Sequence, residues 1–340
     1  MSELKAILFG VGAVGSLIAK HLLDKGVRVV GAVDNDKNKV GKDLGKVLNL
    51  SEKLGLIVSE DVDSALSGEK CDVAIHATSS SFRRTYPQIA SVVKHGVNVV
   101  STCEELSFPY YSEPDLAKRL DKLSKKYETT VLGTGINPGF LMDTLVITLT
   151  AVCQRIERIS VARVMDAATR RIPFQKKVGA GLKVDEFREA METGLITGHV
   201  GLTQSIAMIA DALSWNLDRI AAEQAEPVIA GNSVKSVSIN LRPGYVAGMR
   251  QKAAGYRDGN PVISLDFQAY IGAKEESDQI TIEGTPRVCQ RITPCVHGDL
   301  GTVAIVANSV PKVINAPPGL VTMKDLPVPS AWNETFNSAS

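Results

Sequence analysis

The loop Gly10-Val11-Gly12-Ala13-Val14-Gly15 constrains this chain more than any other feature. An apolar run, Leu4 to Phe9, leads into it. Behind it, Val14, Leu17, Ile18, Leu22 and Leu23 recur at helical spacing, and Gly26 ends the helix. Val27 to Val33 is a second, valine-rich run. G-x-G-x-x-G between a strand and a helix, at the start of a βαβ unit, is the dinucleotide-binding pattern. Gly10 permits the tight turn, Gly12 lets backbone approach a pyrophosphate, and Gly15 lets helix pack on strand. Ala13 and Val14 open the helix, whose free N–H groups and partial positive charge suit an anion. The alternative is a glycine-rich turn with no ligand. Asp34 closes the second run, at about the 20-residue spacing of an acid that binds ribose hydroxyls. It favours NAD, because a 2′-phosphate would face a like charge. Asn35 suits either cofactor, and Lys37 and Lys39 lie close enough to attract a 2′-phosphate, so NADP stays open. The alternative for Asp34 is an ordinary turn or N-cap residue.

The alternation continues. Apolar runs at Leu56–Val58, Val73–His76, Val97–Val100 and Thr130–Leu132 are separated by helical patterns, at 82–94 and 111–127 for example. Apolar strands alternating with helices make a parallel sheet covered on both faces, and right-handed crossovers wind it doubly. After 136 the pattern changes. A helix is predicted at 139–152, strands at 156–165, 233–241, 244–254, 262–271 and 278–284, and helices at 184–192 and 199–214. A last helix spans 299–314, and the polar SAWNETFNSAS tail is expected to fray. The fold class is α/β: a Rossmann-type doubly wound parallel sheet, then an α+β domain with a mostly antiparallel sheet. The expected domains are a dinucleotide-binding domain (1–135), an α+β substrate and oligomerisation domain (136–298), and a C-terminal helix and segment (299–326) packing back on the first. A length of 340 residues agrees with two domains at about 150 residues each.

Charge and composition remove other classes. Lys+Arg at 38 against Asp+Glu at 37 leaves no basic excess for nucleic acid or an anionic membrane. Aromatics at 5% provide no base-stacking surface. No apolar run reaches the roughly 18 residues of a membrane span. Lys5 and the apolar residues after it resemble a signal peptide, but Glu3, the spaced glycines and the amphipathic helix argue against one. The cysteines, 71, 103, 153, 289 and 295, are odd in number and lack framework spacing, which reads as reduced thiols and a cytoplasmic protein. The histidines, 21, 76, 95, 199 and 297, show no metal spacing. Cys289, Cys295 and His297 lack a fourth ligand, so no metal is expected. Neither G-x-S-x-G nor a P-loop occurs.

In a doubly wound sheet ligands bind beyond the carboxyl ends of the strands. Ala77, Thr78, Ser79 and Ser80 follow the fourth strand, and small residues there let a nicotinamide and its ribose approach the backbone. Thr102, Cys103, Glu104 and Glu105 follow the fifth. One of the paired carboxylates can face the ring with a raised pKa and act as acid and base, or both can be helix-entry acids. Cys103 lacks a local histidine partner and reads as a buried thiol. His199 either lines a pocket or is a structural histidine. A substrate carboxylate would want a bidentate Arg or a Lys. Arg163, Arg170, Arg171 and Lys177 are candidates for that role, or else surface charges.

The set GVGAVG, STCEELSFP, GTGINPGFLMD, RRIPFQKKVGAG, GHVGL and NSVPKVINAPPGL resembles the 2,4-diaminopentanoate dehydrogenase and native amine dehydrogenase family. That family belongs to the wider group with a dihydrodipicolinate-reductase-like N-terminal domain. The resemblance covers nearly the whole chain. It implies NAD(P)-dependent oxidative deamination of an amine to a ketone and ammonia, reversible as reductive amination. It implies that Glu104 is the catalytic carboxylate and that Asn137, Pro138, Phe140, Met142, Met165 and His199 build the pocket. It also implies that Asn308 lies near the nicotinamide, and a homodimer through the second-domain sheet. No His-His pair is present, which argues against dihydrodipicolinate reduction, and no activated Cys–His pair suggests semialdehyde chemistry. Another NAD(P)-dependent reductase of a semialdehyde or keto acid, and a non-catalytic NAD(P) sensor, are the alternative functions.

Overall fold

A computed structural model describes residues 3–66, 68–236 and 239–332; most of the tail expected to fray lies outside them. In chain order the first elements are β1 (Lys5–Phe9), α1 (Ala13–Asp24), β2 (Arg28–Val33), α2 (Leu44–Val47), β3 (Val58–Ser59), α3 (Val62–Ala65), β4 (Val73–His76), α4 (Phe82–Lys94) and β5 (Asn98–Ser101). A 3-10 turn at Glu104–Ser107 precedes α5 (Pro109–Ser112), α6 (Pro114–Lys126) and β6 (Thr130–Gly133). Then come α7 (Thr144–Thr150), β7 (Arg155–Asp166), α8 (Ile172–Lys177), α9 (Val184–Glu192) and α10 (Leu202–Ala212). A run of strands follows: β8 (Arg219–Ala222), β9 (Glu226–Ile229), β10 (Val234–Lys235), β11 (Asn240–Leu241), β12 (Val246–Arg257), β13 (Asn260–Tyr270), β14 (Ser277–Thr285) and β15 (Val288–Ile292). The last elements are α11 (Gly298–Ile314) and β16 (Gly319–Val321).

The chain divides into two compact units, 1–140 with 298–340, and 141–297. Among the described residues of the first, seven strands run in the order β16-β6-β5-β4-β1-β2-β3, every pair parallel. The strands are valine- and isoleucine-rich because helices cover both faces. Their inward residues and the buried faces of α4 and α6 form one core around Ile7, Phe82, Ile89, Val99, Leu120 and Val131. Each such side chain contributes roughly 1.5–3 kcal/mol by leaving water. The return segment is sewn in by polar contacts. Leu320 N donates to Asp121 Oδ1 at 3.1 Å and Tyr110 Oη donates to Leu320 O at 2.8 Å.

In the second unit the main sheet runs β15-β14-β7-β13-β12-β8, with β9 also on β12. It is mixed rather than purely antiparallel, because β7 and β13 run parallel while β12–β13, β7–β14 and β14–β15 are antiparallel. Three expectations change in detail. The helix expected over 139–152 forms only at Thr144–Thr150, since Pro138 and Gly139 hold the preceding residues in turns. The 111–127 helix starts at Pro114, because proline suits a first turn and not a helix interior. The strand expected over 233–241 is a small hairpin, β10 on β11, with residues 237 and 238 outside the described set. Among the described residues no helix is long and apolar enough to cross a membrane.

Candidate active site

The glycine loop is built as its spacing demands. Gly10 has φ +94°, and a Cβ there would strike the Ala77 carbonyl and lie 2.9 Å from Thr78 Cγ2. The β1–α1 turn therefore packs directly on the loop after β4. A Cβ on Gly15 would strike the Gly10 carbonyl oxygen, so α1 approaches the turn only through glycine. Around Gly12, by contrast, a Cβ would meet nothing within 4 Å. Gly12 caps α1 with no side chain of its own, and Ala13 is exposed and Val14 half-buried beside it. Gly12 thus leaves room beside the N-terminus of a 12-residue helix, where the first backbone N–H groups have no partner within the helix.

Asp34 ends β2 and is 8% exposed. Its Oδ2 accepts Val11 N–H at 2.8 Å and the Lys39 ammonium at 3.0 Å, and its Oδ1 accepts Asp36 N–H at 2.9 Å. Burial opposes ionisation, but the amides of Asp36 and Val11 and the Lys39 charge outweigh it and hold the carboxyl below its ordinary range. The acid is tied to the second residue of the glycine loop, and Lys39, also 3.6 Å from Asp36, balances part of the local charge. Asn35 and Lys37 are exposed beside it.

The loops after β4 and β5 are interlocked. Thr102 N–H donates to His76 O at 2.9 Å and Glu105 N–H to Ser80 O at 3.2 Å. The Cys103 thiol donates to Ser80 O at 3.1 Å. It is buried, and burial pushes it up to about 12. As a side chain Cys103 belongs to the core, and it is no activated nucleophile of the semialdehyde type. The paired acids separate. Glu105 Oε2 accepts the Phe82 N–H at 2.7 Å. That is the first amide of α4, whose N-cap Ser81 provides no side-chain cap. Glu105 is thus the helix-entry acid. Glu104 is half-buried and begins the 3-10 turn after β5. Ala77 and Ser79 are half-buried and Thr78 exposed, and Ser79 Oγ accepts Ser81 N–H at 3.3 Å.

Beyond β6, Ile136 N–H donates to Thr302 Oγ1 of α11 at 3.3 Å. This fixes the segment carrying Asn137, Pro138 and Phe140 to the helix that carries half-buried Asn308. In the second unit, Met142 is buried, and its neighbour Asp143 accepts Thr144 N–H at 2.6 Å and Ser205 Oγ–H of α10 at 2.7 Å.

Also in the second unit, strand register aligns Asp278, Arg163, Phe267 and Gln251 in one row across β14, β7, β13 and β12. The His199 ring stacks on Phe267, with centroids 4.1 Å apart and planes at 6°. Its backbone N–H donates to Gln251 Oε1 at 2.7 Å. Burial, then the nearby Lys177 and Arg163 charges, push the imidazole down to about 3, so it is neutral. Arg163, 1% exposed, donates from Nη1 to Asp278 Oδ1 and from Nη2 to Val296 O, each at 2.6 Å. Both terminal nitrogens bind inside the unit, so no free fork remains for a substrate carboxylate. Met165, one step along the same face of β7, is buried and accepts Arg170 Nη1–H at 3.7 Å. Arg170 lies 4.5 Å over the Phe174 ring, while Arg171 is half-buried and Lys177 exposed. Among the described residues no three His, Cys, Asp or Glu side chains group as a metal site.

The family described as 2,4-diaminopentanoate dehydrogenase C-terminal domain matches residues 140–340. A 2,4-diaminopentanoate dehydrogenase from Acetoanaerobium sticklandii is 36% identical over 97% of this chain and 95% of its own. The chain belongs to the 2,4-diaminopentanoate dehydrogenase family. An amine dehydrogenase from Streptomyces virginiae is 21% identical over 96% of each chain. The structure of an amine dehydrogenase from Mycobacterium smegmatis superposes with a TM-score of 0.84 at 29% identity, covering 98% of both chains.

For this family member the structure brings the glycine loop together with Ala77 and Thr78, and Val11 with Asp34. It also locks the 80 and 105 positions to one another. Sequence reasoning missed His76, Ser101, Gln88, Gln251 and Asp278 as polar partners in these regions. Only the length of the Val73–His76 run, which ends an apolar strand on a histidine, hinted at the first.

Proposed function

We propose that this member of a family of NAD(P)-dependent amine dehydrogenases oxidises the amine-bearing carbon of 2,4-diaminopentanoate or a close relative, releasing ketone and ammonium, with Glu104 as the acid–base. The observation that carries the assignment is the separation of the two acids. Glu105 accepts the first amide of α4 at 2.7 Å, whereas Glu104 begins the turn after β5.

The residues fit a nicotinamide dinucleotide: open space over Gly12 at a helix N-terminus, glycine where any Cβ would clash, and an ionised Asp34 tied to Val11. Gly10, Gly12, Ala13, Val14 and Gly15 would hold the pyrophosphate and Asp34, with Asn35, the adenosine ribose. Ala77, Thr78, Ser79, Thr102, the Cys103 backbone and Asn308 would line the nicotinamide half. When bound, the cofactor supplies the hydride acceptor. Glu104 then takes a proton from the water that adds to the iminium carbon, and returns it to the nitrogen of the carbinolamine. The C–N bond breaks, the ketone forms, and ammonia leaves as ammonium. In reverse the same carboxylate orients ammonia and stabilises the cationic iminium. Asn137, Pro138, Phe140, Met142, Met165 and neutral His199 are the residues assigned to substrate. With Arg163 paired to Asp278, Arg170 and Lys177 are the better candidates for a substrate carboxylate.

NAD is the preferred cofactor. A 2′-phosphate would meet Asp34 and Asp36 with Lys39 as their shared counterion, a locally negative setting. The open face of the main sheet in the second unit, with Val164, Asp266, Gln268 and Tyr270 half-buried, supports a homodimer through that face. The test is direct. Purified protein with NAD+ or NADP+ and 2,4-diaminopentanoate should raise absorbance at 340 nm. No rise with either cofactor, for this and a panel of simpler amines, would remove the assignment.

A further inference from the structure

His76 ends β4 with no exposed surface, beside the buried apolar residues Ile75 and Val100. A polar ring in such a place is costly unless both nitrogens are bonded. Nδ1 lies 2.9 Å from Ser101 Oγ; Nε2 lies 2.8 Å from Gln88 Oε1 and 3.1 Å from Thr78 Oγ1. The Thr78 hydroxyl donates to the same Gln88 oxygen at 2.7 Å. An amide oxygen only accepts, so Nε2 carries the ring proton and Nδ1 accepts the Ser101 hydroxyl. Ser101 Oγ in turn accepts Cys103 N–H at 3.1 Å. The His76 carbonyl accepts Thr102 N–H at 2.9 Å.

The amide N–H groups of the two residues before Glu104 are therefore both held from residue 76, that of Thr102 by the His76 carbonyl and that of Cys103 through Ser101. On its other side the ring, with Gln88, holds the hydroxyl of Thr78, in the loop that packs on Gly10. An apolar side chain would fill this sheet position at lower cost. Buried Ser101, half-buried Gln88 and the Thr78 hydroxyl gathered around one ring make sense where alignment matters more than stability.

We infer that His76 is a positioning residue for the deamination: through Ser101 and Gln88 it fixes the Glu104 turn relative to the Thr78 loop. The inference rests on the assignment of Glu104 as the acid and of residues 77–79 to the nicotinamide half. Burial pushes the imidazole down to about 4, which keeps this neutral bonding pattern at working pH.

The test pairs turnover with nucleotide affinity. His76→Phe keeps a ring packed 5.3 Å from Phe9 but removes both nitrogens. It should lower kcat by about 10- to 100-fold, the cost of a small misplacement of reacting groups. NADH affinity, read by fluorescence titration, should stay near that of the wild type. His76→Asn, whose side-chain oxygen can accept the Ser101 hydroxyl, should recover part of kcat. Ser101→Ala should repeat the loss, and the double variant should be no worse than His76→Phe, since both act on one network. Wild-type kcat in His76→Phe, an equal loss of NADH affinity, or additive losses in the double variant would overturn the inference. If His76→Phe does not fold, Ser101→Ala carries the same comparison. A wild-type control that oxidises no amine overturns the parent assignment, and this inference with it, before any variant is made.

Discussion

Adjacent acids with different duties make the sharpest prediction. Glu105 and Glu104 are both half-buried, yet only Glu105 accepts the Phe82 N–H, at 2.7 Å. Ser81, the N-cap of α4, provides no side-chain substitute. Removing the Glu105 carboxylate leaves the first amide of a 13-residue helix without that acceptor and deletes a charge that suits its N-terminus. A lost cap costs about 0.5–2 kcal/mol and the charge–dipole part about 0.3–1 kcal/mol, so Glu105→Ala should destabilise by roughly 1–2 kcal/mol. For a unit of this size that lowers Tm by roughly 2–8 °C. Glu105→Gln keeps an oxygen acceptor and should lose about half as much. Glu104→Gln should cut kcat by about 10²- to 10⁴-fold, with NADH affinity retained. Thermal melts and initial rates at 340 nm on the same preparations decide it. The reasoning is refuted if Glu105→Ala abolishes turnover at unchanged Tm while Glu104→Gln turns over normally.

Three further outcomes follow. Asp34→Ala should weaken NAD use by about 10- to 100-fold, the value of a lost charged hydrogen bond or two, and improve NADP relative to NAD. Lys39→Ala should shift the ratio the opposite way, so kcat/KM for both cofactors in both variants checks the pairing. Arg163→Met leaves Asp278 buried without its partner and should cost about 3–5 kcal/mol in urea unfolding; a loss below 1 kcal/mol would show the pair to be solvated. Stability should also fall in mild acid. His76 is pushed down to about 4 and His199 to about 3 by burial, whereas both protonate near 6.5 in an unfolded chain. Between pH 6.5 and 4 the unfolded chain takes up protons that the folded one refuses. The unfolding free energy should therefore drop by up to about 1.4 kcal/mol per pH unit for each histidine, and His76→Phe should flatten that slope in urea titrations at pH 7.5, 6 and 5.

Much of the first unit was legible because its signals are local. The glycine spacing, the valine runs and the buried stripe of α4 sit within short windows, and Val73–His76 and 82–94 match the structure residue for residue. Signals that need distant partners were not. β16 joins the sheet with three residues against β6, and β8 and β9 are four-residue strands defined by their pairing with β12. At the site, the sequence shows two neighbouring acids but not which one reaches Phe82. Arg163 reads as a possible carboxylate fork until Asp278, far along the chain, is seen to occupy it. The His76 network joins β4, α4 and β5, and no periodicity in one element reports it.

The most direct measurement follows the hydrogen itself. With NAD+ and 2,4-diaminopentanoate deuterated at both amine-bearing carbons, NMR of the product should find deuterium on the dihydronicotinamide ring, with one ammonium released per reduced cofactor. Glu104→Gln should lose both signals together. Reduced cofactor without deuterium, or without matching ammonium, would contradict oxidative deamination at an amine-bearing carbon.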